Sequence, residues 1–233
     1  MRPALIRAFA ALLLLASASP ACAEEEKPVS LRMLCLGDSY TIGEGVPESE
    51  RWPSQLADAL RKRSLSVADP QVIARTGWTT ANLQDAIQAA ELKPPYDLVT
   101  LLIGVNDQFQ RKEHDDYAAR LDALVKRALE LAGGRKERVV IVSIPDYSVT
   151  PFGKRFDPER TTQELEHFNA TGLAAAKQAG LAYVDITPGS KRAATEGALL
   201  APDGLHPSAA MYAEWVQAIL PVVEPVLVPK PKS

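Results

Sequence analysis

Two short stretches of this chain hold residue types that could perform nucleophilic chemistry together. Ser39 ends an apolar run within Gly37-Asp38-Ser39-Tyr40-Thr41, and His206 lies in Asp203-Gly204-Leu205-His206-Pro207, three residues after a carboxylate. A serine hydroxyl is a weak nucleophile until a base takes its proton. Histidine does so best when a carboxylate fixes its tautomer and steadies the imidazolium. On one tight turn, the Asp203–His206 spacing lets the carboxylate reach one ring nitrogen while the other faces outward. Of the three histidines, His114 stands in the charged Lys112-Glu113-His114-Asp115-Asp116 stretch and His167 in a polar helical one, so both read as solvated surface.

Each of these residues also has an ordinary use. Serine is a common helix cap, and a histidine beside a proline can simply be exposed in a loop. Two further breakpoints carry the same ambiguity. Gly77 follows a short apolar run and fits a turn with positive φ. Asn106, in Gly104-Val105-Asn106-Asp107, follows a longer run and fits a turn or a cap. A zinc reading of Asp203 and His206 lacks the third and fourth ligands such sites need. The phosphate-binding GxxxxGK[ST] loop, the GxGxxG turn and the Gly-x-Ser-x-Gly elbow are all absent.

The elements that must position these residues alternate along the chain. Apolar runs over 31–36, 72–74, 98–103, 138–144 and 181–186 read as strands. Amphipathic stretches over 50–63, 82–90, 115–132, 159–179 and 209–220 read as helices, with a loop over 146–157 and an extended, frayed tail over 221–233. The near-continuous apolar run 98–103 is what a parallel strand covered on both faces requires. Such alternation predicts one three-layer α/β/α domain with a parallel sheet, whose strand ends would bring Ser39, Gly77 and Asn106 to one edge.

The first 23 residues read as an export signal. Arg2 and Arg7 form a positive start, an apolar core follows, and Ala21-Cys22-Ala23 supplies the cleavage site. The domain would then span 24–233, and the protein would be periplasmic or secreted. Acylation at Cys22 is the less favoured alternative, because Ser19-Pro20-Ala21 is a poor lipidation context. Loss of Arg2 and Arg7 would take the net charge from −3 to −5. No basic patch with interleaved aromatics argues for nucleic acid, and no segment is long and apolar enough for a stable membrane span. Cys35 would be left alone, a buried thiol acting as a small hydrophobe.

With these blocks in hand, the chain resembles the SGNH hydrolases, also called GDSL lipases and esterases. The resemblance rests on Gly37-Asp38-Ser39-Tyr40 (with Tyr where Leu is commoner), the segment at Gly77, Gly104-Val105-Asn106-Asp107 and Asp203-Gly204-Leu205-His206-Pro207, in that order. It implies a flavodoxin-like sheet of about five parallel strands, no metal and no organic cofactor. It also implies a serine esterase in which Ser39, His206 and Asp203 form a triad. The oxyanion would be held by the backbone N–H groups of Ser39 and Gly77 and the side-chain amide of Asn106. Gly77 suits that role because a residue without Cβ lets the backbone approach closely.

The implied substrate is a small-molecule ester. Ile42, Trp78, Phe109, Tyr147 and Phe152 lie beside the blocks and are candidates for an acyl or alcohol pocket, with packing as the competing use. An apolar pocket would suit acyl esters, lysophospholipids or thioesters, and a polar groove acetylated carbohydrates. A ligand-binding domain with a decayed site is disfavoured by the joint presence of Ser39, Asp203 and His206.

Overall fold

Five parallel strands form the middle layer in a computed structural model that describes residues 30–228. They are β1 (Met33–Gly37), β2 (Gln71–Ala74), β3 (Leu98–Leu102), β4 (Val139–Val142) and β5 (Ala182–Val184), in the spatial order β2-β1-β3-β4-β5. β1, β3 and β4 are buried along their whole lengths, as their continuous Leu, Val and Ile runs demand. The order reverses around β1, and in such sheets ligands bind at the strand C-termini beside that reversal. The signal expected over 1–23, including Cys22, lies outside the described residues.

Register converts this topology into convergence. Gly37 at the end of β1 pairs with Ala74 of β2 and with Leu102 of β3. The three strands therefore stop at one level, and Ser39, Gly77 and Asn106 follow within a few residues of it. Gly37 admits no side chain, since a Cβ there would fall 2.5 Å from the Leu102 carbonyl oxygen.

Eight α-helices accompany the sheet among the described residues. α1 (Ser39–Ile42) and α4 (Val105–Phe109) are short and sit at strand ends. α2 (Trp52–Arg61) packs on α8 (Ala209–Leu227), while α5 (His114–Leu131) packs on both α3 (Thr80–Ala89) and α6 (Pro158–Ala179). α7 (Thr187–Ser190) follows β5. Trp52 of α2 and Trp215 of α8 are both fully buried, and Cys35 is buried with its thiol pushed up to about 12 by desolvation.

The chain departs from its sequence reading at two places here. The extended tail does not begin at Pro221, because α8 runs on through Pro221 and Pro225 to Leu227. An interior proline costs a helix about 3 kcal/mol. Burial of Val223 and Leu227 at about 1.5–3 kcal/mol each offsets this and keeps the last turns on the core. His114 is not solvated surface either: it is half-buried, stacks on the exposed His167 ring at 3.8 Å and meets the edge of Phe168.

Candidate active site

Ser39 is not a cap; it is the first residue of α1. Asp38 is the cap, its Oδ1 accepting the Tyr40 N–H at 3.0 Å. The first N–H groups of a helix have no partner inside it, so the Ser39 amide is available to a developing negative charge. Ser39 is only 5 % exposed. Asp38 is fully buried with Oδ2 unpartnered, and desolvation pushes its carboxyl up to about 8. Burial thus favours the neutral form of the cap.

The Asp203–His206 turn is self-contained. Asp203 Oδ1 accepts the N–H groups of Leu205 and His206, both at 2.9 Å, and Oδ2 lies 2.6 Å from His206 Nδ1. An ionised carboxylate only accepts, so Nδ1 carries the proton and Nε2 is left as the basic nitrogen. Partial burial alone would raise the Asp203 carboxyl, but the bonds from the ring and the two amides hold it below the usual carboxylate range. Gly204 makes the turn with φ +68°. At 8 % exposure His206 is buried, and Tyr40 meets its ring at 5.6 Å in an edge contact. The Gly204 carbonyl accepts the Phe152 N–H at 3.1 Å, which ties the 146–157 loop to the turn.

On the opposite side, four hydrogen bonds fix the wall made by the β2–α3 loop and α4. Asn106 Nδ2 donates to the Trp78 carbonyl at 3.0 Å, leaving its second N–H for the cavity. Gln110 Nε2 donates to the Gly77 carbonyl at 3.0 Å. Asp107 is buried and accepts from the Thr80 N–H at 2.9 Å and the Thr80 hydroxyl at 2.6 Å, joining α4 to the start of α3. Gly77 has φ +79°, and a Cβ built there would meet nothing within 4 Å. The left-handed backbone thus favours glycine here, as the turn reading from sequence expects, and no protein atom crowds the position.

These parts enclose one cavity of about 130 Å³ lined by Ser39, Gly77, Asn106 and His206 on the polar side. Phe109, Tyr147 and Phe152 line it as expected. Ile42 and Trp78 do not. Ile42 is half-buried at the end of α1, and Trp78 packs on the core, so only its carbonyl serves the site. Tyr40, Thr76, Val105 and Leu205 also line the cavity, which their types alone do not signal, although each neighbours a residue that does. Asp203 stands behind His206, outside the lining. Ser39 and His206 share the cavity with no hydrogen bond between them, and such contacts often tighten only when substrate binds.

Known proteins sharpen this description. A model of the GDSL-like lipase/acylhydrolase family matches residues 35–214. The structure of TesA superposes with a TM-score of 0.67 at 19 % identity, covering 84 % of this chain and 99 % of that one. The acetylxylan esterase Axe2 from Geobacillus stearothermophilus gives 0.62 at 20 % identity, covering 83 % and 94 %. A G-D-S-L family protein from Veillonella parvula gives 0.59 at 18 %, covering 83 % and 98 %. No curated protein matches the sequence. The superpositions establish the fold, the family match spans most of the described chain, and the protein belongs to the GDSL-like lipase/acylhydrolase family.

Proposed function

We propose that this protein is a serine esterase acting on small esters of short-chain acids. The observation that carries the reading is the 2.6 Å contact between His206 Nδ1 and Asp203 Oδ2, with the same imidazole lining the cavity that holds Ser39 and Asn106. His206 Nε2 takes the proton of Ser39 as Oγ attacks the ester carbonyl carbon. The resulting oxyanion is met by the amides of Ser39 and Gly77 and by Asn106 Nδ2. Collapse expels the alcohol, which receives the proton from His206, and leaves an acyl-enzyme. Water then repeats the sequence and frees Ser39.

Cavity size supports the acyl preference. A space of about 150 Å³ holds one benzene-sized group. A cavity of 130 Å³ therefore suits acyl groups up to about six carbons by the same comparison. An acetyl group also fits, so O-acetyl esterase action on carbohydrates is the second reading. It gains support from the fold shared with an acetylxylan esterase. Ser39→Ala should reduce turnover of p-nitrophenyl butyrate by about 10⁴-fold or more, and a serine-directed phosphonate should label Ser39 alone. Wild-type turnover in that variant would refute the assignment. Comparison of p-nitrophenyl acyl esters with acetylated xylan separates the two readings. Export, read from residues 1–23, is part of the proposal, and a mature protein retaining those residues would exclude it.

A further inference from the structure

Phe109 and Tyr147 line a second space beside the cavity over Ser39. It measures about 180 Å³ and is lined further by Arg111, Asp157, Arg160 and Glu164. Its two acids are engaged within the protein. Glu164 accepts from Gln108 Nε2 and Arg160 Nε, both at 2.7 Å, and Asp157 caps α6 by accepting the Arg160 N–H at 3.1 Å. Burial alone would raise the Glu164 carboxyl. The bonds from Gln108 and Arg160, with the charges of Arg160 and Arg111, hold it below the usual range instead.

Arg111 is the exception in this cleft. Among the described residues its guanidinium makes no hydrogen bond and no ion pair, although it is exposed on the cavity wall. Its backbone is also in an unfavourable place. α4 closes through the Arg111 N–H on the Gln108 carbonyl at 3.0 Å and the Lys112 N–H on the Asp107 carbonyl at 2.9 Å. This puts Arg111 at φ +55°, a left-handed position that favours glycine and costs other residues about 1–2 kcal/mol. This left-handed residue stands on the cavity wall, and its guanidinium has donors that no hydrogen bond engages among the described residues.

We propose that the cleft behind Phe109 is an anion-selecting extension of the ester site, in which Arg111 receives a carboxylate or phosphate carried by the substrate beyond its scissile carbonyl. The planar guanidinium presents paired donors that match either group. The aromatic walls of Phe109 and Tyr147 lower the local dielectric and strengthen that attraction. The substrate class is an ester whose apolar spacer crosses Phe109 and ends in an anion. The proposal rests on the esterase reading of Ser39 and adds the charge of the substrate to it.

Two sets of esters test it, each paired with a neutral ester of equal length. p-Nitrophenyl hemiesters from succinate to suberate carry the anion on the acyl side, and short-chain monoacyl glycerol phosphates carry it on the alcohol side. Wild-type protein should prefer the charged member in one set, and the preference should weaken as salt is raised. Arg111→Gly suits the backbone, so the melting temperature should not fall, while the charged-to-neutral ratio of kcat/KM should drop about tenfold, mainly through KM. Arg111→Lys should restore part of it. An unchanged ratio in Arg111→Gly, or no charged preference in either set, overturns the subsite. Calorimetric binding to Ser39→Ala and to Ser39→Ala/Arg111→Gly reads the same preference without turnover. Hydrolysis of neutral esters with no charged preference removes the subsite alone, and charged binding with no turnover in the parent protein removes the esterase reading alone.

Discussion

On one wall of the cavity, Asn106, Gly77 and Asp107 are tied to Trp78, Gln110 and Thr80 by hydrogen bonds of 2.6–3.0 Å. On the other, Phe109 and Phe152 meet only through tilted rings 6.0 Å apart, Phe156 packs beside both at 5.4–5.5 Å on the adjoining cavity, and Phe109 and Phe156 remain 43 % and 47 % exposed. The polar wall is placed where charge would develop, and a donor displaced by a fraction of an ångström loses most of its value there. Under the proposed esterase reading, the aromatic wall would meet the variable part of the ester, where ring contacts tolerate adjustment. Rigidity and tolerance are thus divided between two sides of one small space.

The contrast can be broken most strongly at Asn106. Asn106→Ala removes a cavity donor and the tether to Trp78 together, and kcat should fall about 10²–10³-fold with KM little changed. Steady-state kinetics on p-nitrophenyl butyrate measure this, and an unchanged kcat would take Asn106 out of the oxyanion site. Asp107→Ala comes next. It strands the buried N–H and hydroxyl of Thr80, for a loss of about 1–3 kcal/mol of stability in urea unfolding, with a fall in kcat as α4 loses its link to α3.

Acidity probes the floor beneath both walls. Burial raises the Asp38 carboxyl from its usual 3.8 to about 8, and raises Asp107 in the same direction. Between those limits the native chain keeps protons that the unfolded chain has released. Stability should therefore fall as pH rises from about 4 to 8 and level off above. Asp38→Asn should flatten most of that slope in unfolding curves taken across the range, and an undiminished slope would show Asp38 ionised in the native state. Asp203 works in the opposite sense. Its lowered carboxyl contributes stability that is lost only on acidification below the usual range.

The smallest effect is expected on the aromatic side. Phe156→Ala should change stability by no more than about 0.5 kcal/mol, as for an exposed side chain. It should lower kcat/KM several-fold for longer acyl chains while leaving acetyl esters nearly unaffected. Equal losses across the acyl series would mean that this wall takes part in the chemistry as much as the polar one does.

Legibility in the sequence followed the range of the interaction. The Asp203–His206 pair is readable because both residues lie on one turn, and β3 is readable because a strand buried on both faces must be apolar throughout. Ser39, Gly77 and Asn106 are each ambiguous alone and become coherent only as an ordered set. Asp107 offers no comparable signal, since Thr80, the residue it holds, is distant in sequence and nothing local marks the pair. The tail misleads because Pro221 is a valid local stop, and the burial of Val223 and Leu227 against the core is not a local property.

Sequence by itself therefore determined the alternation of elements, the local turn that orients His206 and the residue types available at the strand ends. Tertiary structure alone decided that Gly37, Ala74 and Leu102 end at one level. It also decided that Trp78 contributes a carbonyl rather than a ring, and that Arg111 faces a cleft. The physical reason is that backbone propensity and apolar periodicity act within a few residues. Register, burial and the pairing of polar groups are fixed only when distant segments pack together.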